Sequence, residues 1–253
     1  MSPLDLSPAA APAPRARRVL RHAAMEARLT VRNGEQLLLA LVIPIGLLVA
    51  DAALGDRFGL TGAAFPASVL ALGLWSTGFT SLAITTGFER RYGVLERLVA
   101  TPLRSSDLLI GKALSISVVA TGQALVLSAI ALATGWAPHP TPGQSLVVAL
   151  AVPLGLIAFA GLALILSGRA SAELTLALSN LVYLAGAAAG VLLPPALYPA
   201  WAQPLVGLLP TTALAESLRA WTEGRTDPLP LLILLGWAVA GLALARRVFR
   251  WTS

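Results

Sequence analysis

Phe88–Lys112 reads FERRYGVLERLVATPLRSSDLLIGK, the only long charged segment set between two apolar runs. Helical from Glu89 onward, it would place Glu89 and Glu96 on one stripe and Arg90 and Arg97 on the next. Val94, Leu95, Leu98 and Val99 would then form an apolar side. Thr101-Pro102 stops such a helix, because proline lacks an amide donor and disfavours helical geometry before it. A short amphipathic helix between two membrane spans either lies on lipid headgroups or docks a soluble partner. The spans on either side decide which.

The 253 residues are 57% hydrophobic and 12% charged, with mean hydropathy +0.78. A soluble domain carries about 25% charged residues, so the composition is that of a membrane protein. There is no cysteine, which removes disulfides and thiolate metal sites. The net charge of +6 could suit nucleic acid, but its distribution follows the positive-inside rule and no nucleic-acid partner is expected. A long polar or mixed stretch precedes the first apolar run, unlike a secretory signal. Residues 1–16 read as a disordered tail rich in Pro and Ala, and residues 17–253 as a single transmembrane domain.

From Arg17 to Arg32 the spacing predicts an amphipathic helix, with Val19, Leu20, Ala23, Ala24, Ala27 and Val31 on one face and Arg21, Arg28 and Arg32 on another. Such a helix rests on an anionic lipid surface. Six apolar spans follow: Gln36–Leu54 with Pro44 inside, Gly62–Phe88, Leu108–Trp136, Ser145–Leu166, Leu174–Leu193 and Leu229–Ala245. Each approaches the ~20 residues that cross a ~30 Å hydrocarbon core. The second and third would run ~40 Å or more, so they protrude and lift the charged segment between them off the membrane on stalks. With both termini in the cytoplasm, fifteen of the eighteen basic residues fall inside, and Arg57, Arg219 and Arg225 fall outside. Trp136, Trp201 and Trp221 then lie at the outer boundary, with Tyr92 and Trp251 at the inner one.

The stretch Pro194–Arg225 resists a simple loop reading. Its apolar pieces are too short to cross and are broken by Pro199, Pro204 and Pro210. Irregular backbone cannot face lipid, so two short re-entrant helices in the outer leaflet are expected, the second capped by Thr211 or Thr212 and running to Trp221.

Catalytic and metal residues are expected to be absent. His22 and His139 sit in soluble segments on opposite sides, no HExxH is present, and Gly111-Lys112-Ala113 does not complete a phosphate-binding loop. Any nucleotide must bind another chain. Polar residues within spans (Ser76, Thr77, Thr80 and Ser81 of the second; Ser179, Asn180 and Tyr183 of the fifth) either pack helices together or line a translocation path. Asp51, the single acid within a predicted span, either reaches water or couples an ion. The Gly186-x-x-x-Gly190 spacing is a weak helix-packing motif.

The run E-R-R-Y-G-V-L-E-R-L-V-A-T-P-L from Glu89 to Leu103, followed by L-I-G-K at Leu109–Lys112, resembles the membrane subunit of ABC-2 type exporters. Glu89, Arg90, Gly93, Leu95, Glu96, Thr101, Pro102, Gly111 and Lys112 match that pattern, and the Pro210, Leu214, Arg219 run is similar to the family as well. The resemblance implies an all-α polytopic fold of six transmembrane helices. It adds an N-terminal interfacial helix, a cytoplasmic coupling helix and short outer helices between spans 5 and 6. It further implies that Glu89, Arg90, Gly93, Val94, Leu95, Glu96, Arg97, Leu98, Thr101, Pro102 and Lys112 dock a separate ABC ATPase, present in two copies or as a dimer, which holds the ATP and Mg. A second permease protomer, membrane lipid and a hydrophobic or amphipathic small-molecule substrate (drug, antibiotic or lipid-like) complete the expected partners. The setting is a bacterial inner membrane. Apolar docking of Val94, Leu95, Leu98 and Val99 into a partner groove agrees with it. The rival is a stand-alone ion-coupled transporter using Asp51. The short soluble loops depart from members that export polysaccharides or sterols, which leaves the substrate open.

Overall fold

The computed structural model describes residues 13–32, 34–58, 63–99, 101 and 103–249, and all regular structure among them is helical. Residues 1–12 of the expected tail at 1–16, together with Pro102 and Trp251, lie outside the described residues, while the end of that tail is corrected, since Arg15 and Ala16 already belong to the first helix. Helix α1 (Arg15–Arg32) precedes α2 (Gly34–Phe58), which continues through Pro44. The second membrane helix is a continuous rod in three parts. It comprises α3 (Phe65–Trp75), a π-helical segment Ser76–Ser81 and α4 (Leu82–Arg91). A six-residue α5 (Val94–Val99) follows, then α6 (Ser105–Ala133) and α7 (Pro142–Ser167). Next come α8 (Ala172–Gly186), α9 (Gln203–Gly207), α10 (Pro210–Thr222) and α11 (Leu229–Val248).

Among the described residues, five helical stretches are long and apolar enough to cross a membrane: Phe65–Arg91, Ser106–Ala133, Pro142–Ser167, Ala172–Val191 and Leu229–Val248. Helix α2 contributes a shorter apolar stretch, Ala40–Gly55. The chain is thus a multi-pass membrane protein. Phe65–Arg91 is the central rod, 83% buried over its apolar stretch against 28% for Ala172–Val191 and for α11. Its Trp75 stacks on Phe79 at 4.3 Å between ring centroids and meets Phe159 of α7 edge-on at 4.8 Å. Such aromatic pairs add to what their buried area already contributes.

Two expectations need correction at the ends of the bundle. The apolar stripe foreseen on α1 is split: Val19, His22 and Ala23 pack against α6, whereas Leu20, Ala24 and Val31 stay exposed. His22 is therefore buried against α6. Thr211 and Thr212 do not cap α10 either. Leu209 holds the cap position, Pro210 begins the helix, and Thr212 donates instead to the Ala189 carbonyl at 3.1 Å.

That carbonyl is free because the helix continuing from α8 breaks. Residues Ala187–Val191 form a π segment in which Gly190 takes φ 87°, a conformation costly for any residue with a Cβ. Gly190 thus serves this break as well as close packing, since a Cβ there would collide with Thr212 and one at Gly186 would meet Trp75 at 3.0 Å. Side chains from the following stretch occupy the released carbonyls: Tyr198 donates to Ala188, Thr212 to Ala189, and Arg219 to Gly190 at 2.8 Å and to Val191. Arg219 is itself buried and also reaches Ser68 of α3 at 3.0 Å and Glu216. Helix α10 is buried among α3, α7 and α11, while Trp201, Leu205 and Leu208 around α9 are exposed.

Candidate functional site

The charged segment begins as the last turn of α4 and is tied down on three sides. Glu89 Oε2 lies 2.5 Å from Lys112 Nζ of α6, and the same ammonium lies 3.2 Å from Glu26 of α1. Lys112 is 2% exposed, so this is a buried cation shared by two carboxylates from two other helices. Arg90 donates to the Ala170 carbonyl at 2.7 Å, and Arg91 pairs with Glu173 at the start of α8. One helix end is thus fastened to α1, α6 and α8.

Continuous helix from Glu89 to Thr101 does not form. Gly93 at φ 65° turns the chain after Tyr92, and α5 starts afresh at Val94. Glu89 and Glu96 therefore share no stripe, nor do Arg90 and Arg97. Leu95 is fully buried within the chain, packed with Leu109, Leu164, Ala245 and Phe249, and with Leu98 at the edge of that cluster. The expected presentation of Leu95 to a partner is corrected accordingly: its burial anchors α5 onto α6, α7 and α11, a contribution of about 1.5–3 kcal/mol. Tyr92, Glu96, Arg97 and Thr101 are the exposed members, and Thr101 donates to the Leu98 carbonyl at 2.6 Å to close the short helix. An amphipathic pattern shows that a face seeks apolar company, but not whose. That is why the inward turn of Leu95 escaped sequence reasoning.

The N-terminal helix completes this end. Asp107 on α6 meets Arg15 at 2.6 Å and Arg18 at 3.7 Å, and the His22 ring lies against Gly111. Burial pushes the His22 imidazole below its ordinary value; Glu26 offsets part of the shift and Lys112 adds to it. Among the described residues no cluster of three His, Cys, Asp or Glu could hold a metal ion.

A cavity of about 720 Å³ runs between α2, the central rod and α8. Of the seven polar residues singled out in the two spans, Ser76, Thr80, Ser81, Asn180 and Tyr183 line it. Thr77 turns away and donates to Gln123 of α6, and Ser179 is fully buried outside the lining. Within the π-helical segment, Thr77 is thus committed to the interface with α6, while Ser76, Thr80 and Ser81 face the cavity. Asn180 spends its amide on the Leu176 carbonyl at 3.0 Å, which leaves its carbonyl oxygen for the cavity. Ile43, Ile84, Phe88 and Leu176 supply apolar wall. Such mixed lining suits a ligand with apolar bulk and a few polar groups. Glu89, Tyr92 and Val94, members of the charged segment, close one end of this same cavity, whereas Asp51 is not among its lining residues.

Residues 23–221 match the family model described as ABC-2 type transporter, and the chain belongs to that family. None of the curated proteins matches it. It is accordingly a membrane transport subunit of the ABC-2 type.

Proposed function

We propose that this ABC-2 type permease crosses the membrane six times, with both termini in the cytoplasm, and exports a hydrophobic or amphipathic compound through the cavity between α2, the central rod and α8. A separate ABC ATPase, acting as a dimer, docks on the Tyr92–Thr101 surface and carries the ATP and Mg. A second permease protomer, identical or related, closes the path from the other side. The setting is a bacterial inner membrane. The observation that carries this reading is the sharing of Glu89, Tyr92 and Val94 between the charged segment and the cavity wall. A push on α5 is transmitted through Gly93 to the cavity mouth, and through Glu89 and Lys112 to α1 and α6. That gives the soluble subunit a mechanical route to the path without any nucleotide on this chain.

Docking is polar in this reading. Glu96 and Arg97 set register by charge pairing, while Leu95 and, in part, Leu98 are already spent on the permease itself. The test is capture of tagged full-length chain from native membranes, with ATP hydrolysis of the eluate as readout. Wild type is expected to bring down an ATP-hydrolysing subunit. Glu96→Arg is expected to lose it while inserting normally. Equal hydrolysis from both eluates would remove the docking assignment.

A further inference from the structure

A second groove lies where α6, α7 and α11 diverge, away from the hydroxyl-lined cavity, and encloses about 380 Å³. Leu109, Ile110, Leu114, Ile157, Leu164 and Leu242 make its walls. Along α6 it extends from Ser106 to Ser117, a rise of roughly 16 Å at about 1.5 Å per residue. That is close to half of a ~30 Å hydrocarbon core, the depth of one leaflet. Its two ends differ. The Ser106 end carries the exposed Arg246, and Arg15 reaches over to donate to Ser106 Oγ at 3.2 Å, so two guanidinium groups stand at one mouth. Asp107 takes the Nε of Arg15 at 2.6 Å and leaves Arg246 as the larger field there. The apolar pocket between Trp136 and Trp221 has no charged residue in its lining, so nothing there selects a headgroup.

We propose that this groove holds one acyl chain of an anionic phospholipid, with the phosphate at Arg246 and Arg15. The proposal rests on the chain's being a membrane protein and not on ATPase docking, so either can fail without the other. A leaflet-deep apolar slot accepts the chain of any lipid, and the guanidinium pair favours a headgroup with net negative charge over a zwitterion that brings its own cation.

Purified full-length chain is exchanged into micelles with equal amounts of phosphatidylglycerol and phosphatidylcholine of identical acyl chains, and retained lipid is quantified by mass spectrometry. Wild type is expected to retain more phosphatidylglycerol. Arg246→Gln should cut that preference about fivefold, the weight of one guanidinium beside an anionic headgroup. Arg247→Gln, exposed but outside the groove, should leave it unchanged. Ala113→Phe, which fills the slot midway, should lower retention of both lipids. The proposal is overturned by equal retention of the two lipids in wild type, by an equal loss in Arg247→Gln, or by wild-type retention in Ala113→Phe.

Discussion

Lys112, the only lysine of the chain, sits where three helices meet, and its ammonium is worth more as a satisfied charge than as a binding energy. Removing it leaves Glu26 and Glu89 facing one another without a counterion, and breaking such a buried arrangement costs about 3–5 kcal/mol. Lys112→Met is therefore expected to lower the melting temperature of the purified chain markedly. Adding Glu89→Gln should recover part of the loss, because the pair is coupled and the two effects do not add. A double variant as unstable as the sum of the singles would show that the clamp is not a unit. His22 gives this end a pH dependence. Its native pKa lies below the ordinary 6.5, so between the two values the unfolded chain binds a proton that the folded chain refuses. Stability from this group is complete above about pH 6.5 and is lost as pH falls through the depressed value. Lowering the pH from about 7.5 to 5.5 should reduce the melting temperature more in wild type than in His22→Asn.

At the scale of elements, the decisive feature is the interruption between α4 and α5. Gly93 at φ 65° lets α5 fold back so that Leu95 enters its cluster. A side chain at that φ costs about 1–2 kcal/mol, and the chain can relieve it by extending α4. Gly93→Ala should destabilise the protein by that amount and also diminish ATPase capture, since α5 would no longer be presented from its anchor. Gly93→Asn should retain more of both, because asparagine tolerates the left-handed region. If alanine and asparagine behave alike, the turn is not what positions α5. The same position shows where sequence reasoning runs out. Five of the six spans were legible because apolar runs of this size have few other uses, whereas the first, with Pro44 inside it, yields only the shorter stretch Ala40–Gly55 among the described residues. Thr101-Pro102 announced the end of the segment. A glycine flanked by Tyr92 and Val94 within an amphipathic pattern gives no sign of its φ, so the stripe pairing of Glu89 with Glu96 was read across a turn. The π segment at Ser76–Ser81 is similarly silent: helical spacing nominated the hydroxyls, but nothing in the pattern says that Thr77 finds Gln123 across a helix interface while Ser81 faces the cavity.

For the whole molecule, the arrangement requires that Thr101 and Trp201 lie on opposite sides of the membrane. Thr101 closes the segment after the central rod, whereas Trp201 stands, 76% exposed, in the stretch that braces the broken end of the helix continuing from α8. The five membrane-crossing stretches place these two positions at opposite ends of the rod, and the orientation proposed above puts Thr101 on the cytoplasmic side. Absence of cysteine makes the assignment directly measurable, because any thiol introduced is the sole thiol. Thr101→Cys should react with a membrane-impermeant maleimide in inside-out vesicles and be silent in intact cells. Trp201→Cys should react from the periplasmic face and be silent in sealed inside-out vesicles. Both positions are exposed, and Thr101→Cys gives up only the surface hydrogen bonds of its hydroxyl with Leu98 and Leu103. Labelling of both from one side would place the charged segment and the outer stretch on the same face. It would also separate the cavity's Glu89–Val94 end from the cytoplasm, and a soluble ATPase could not act there.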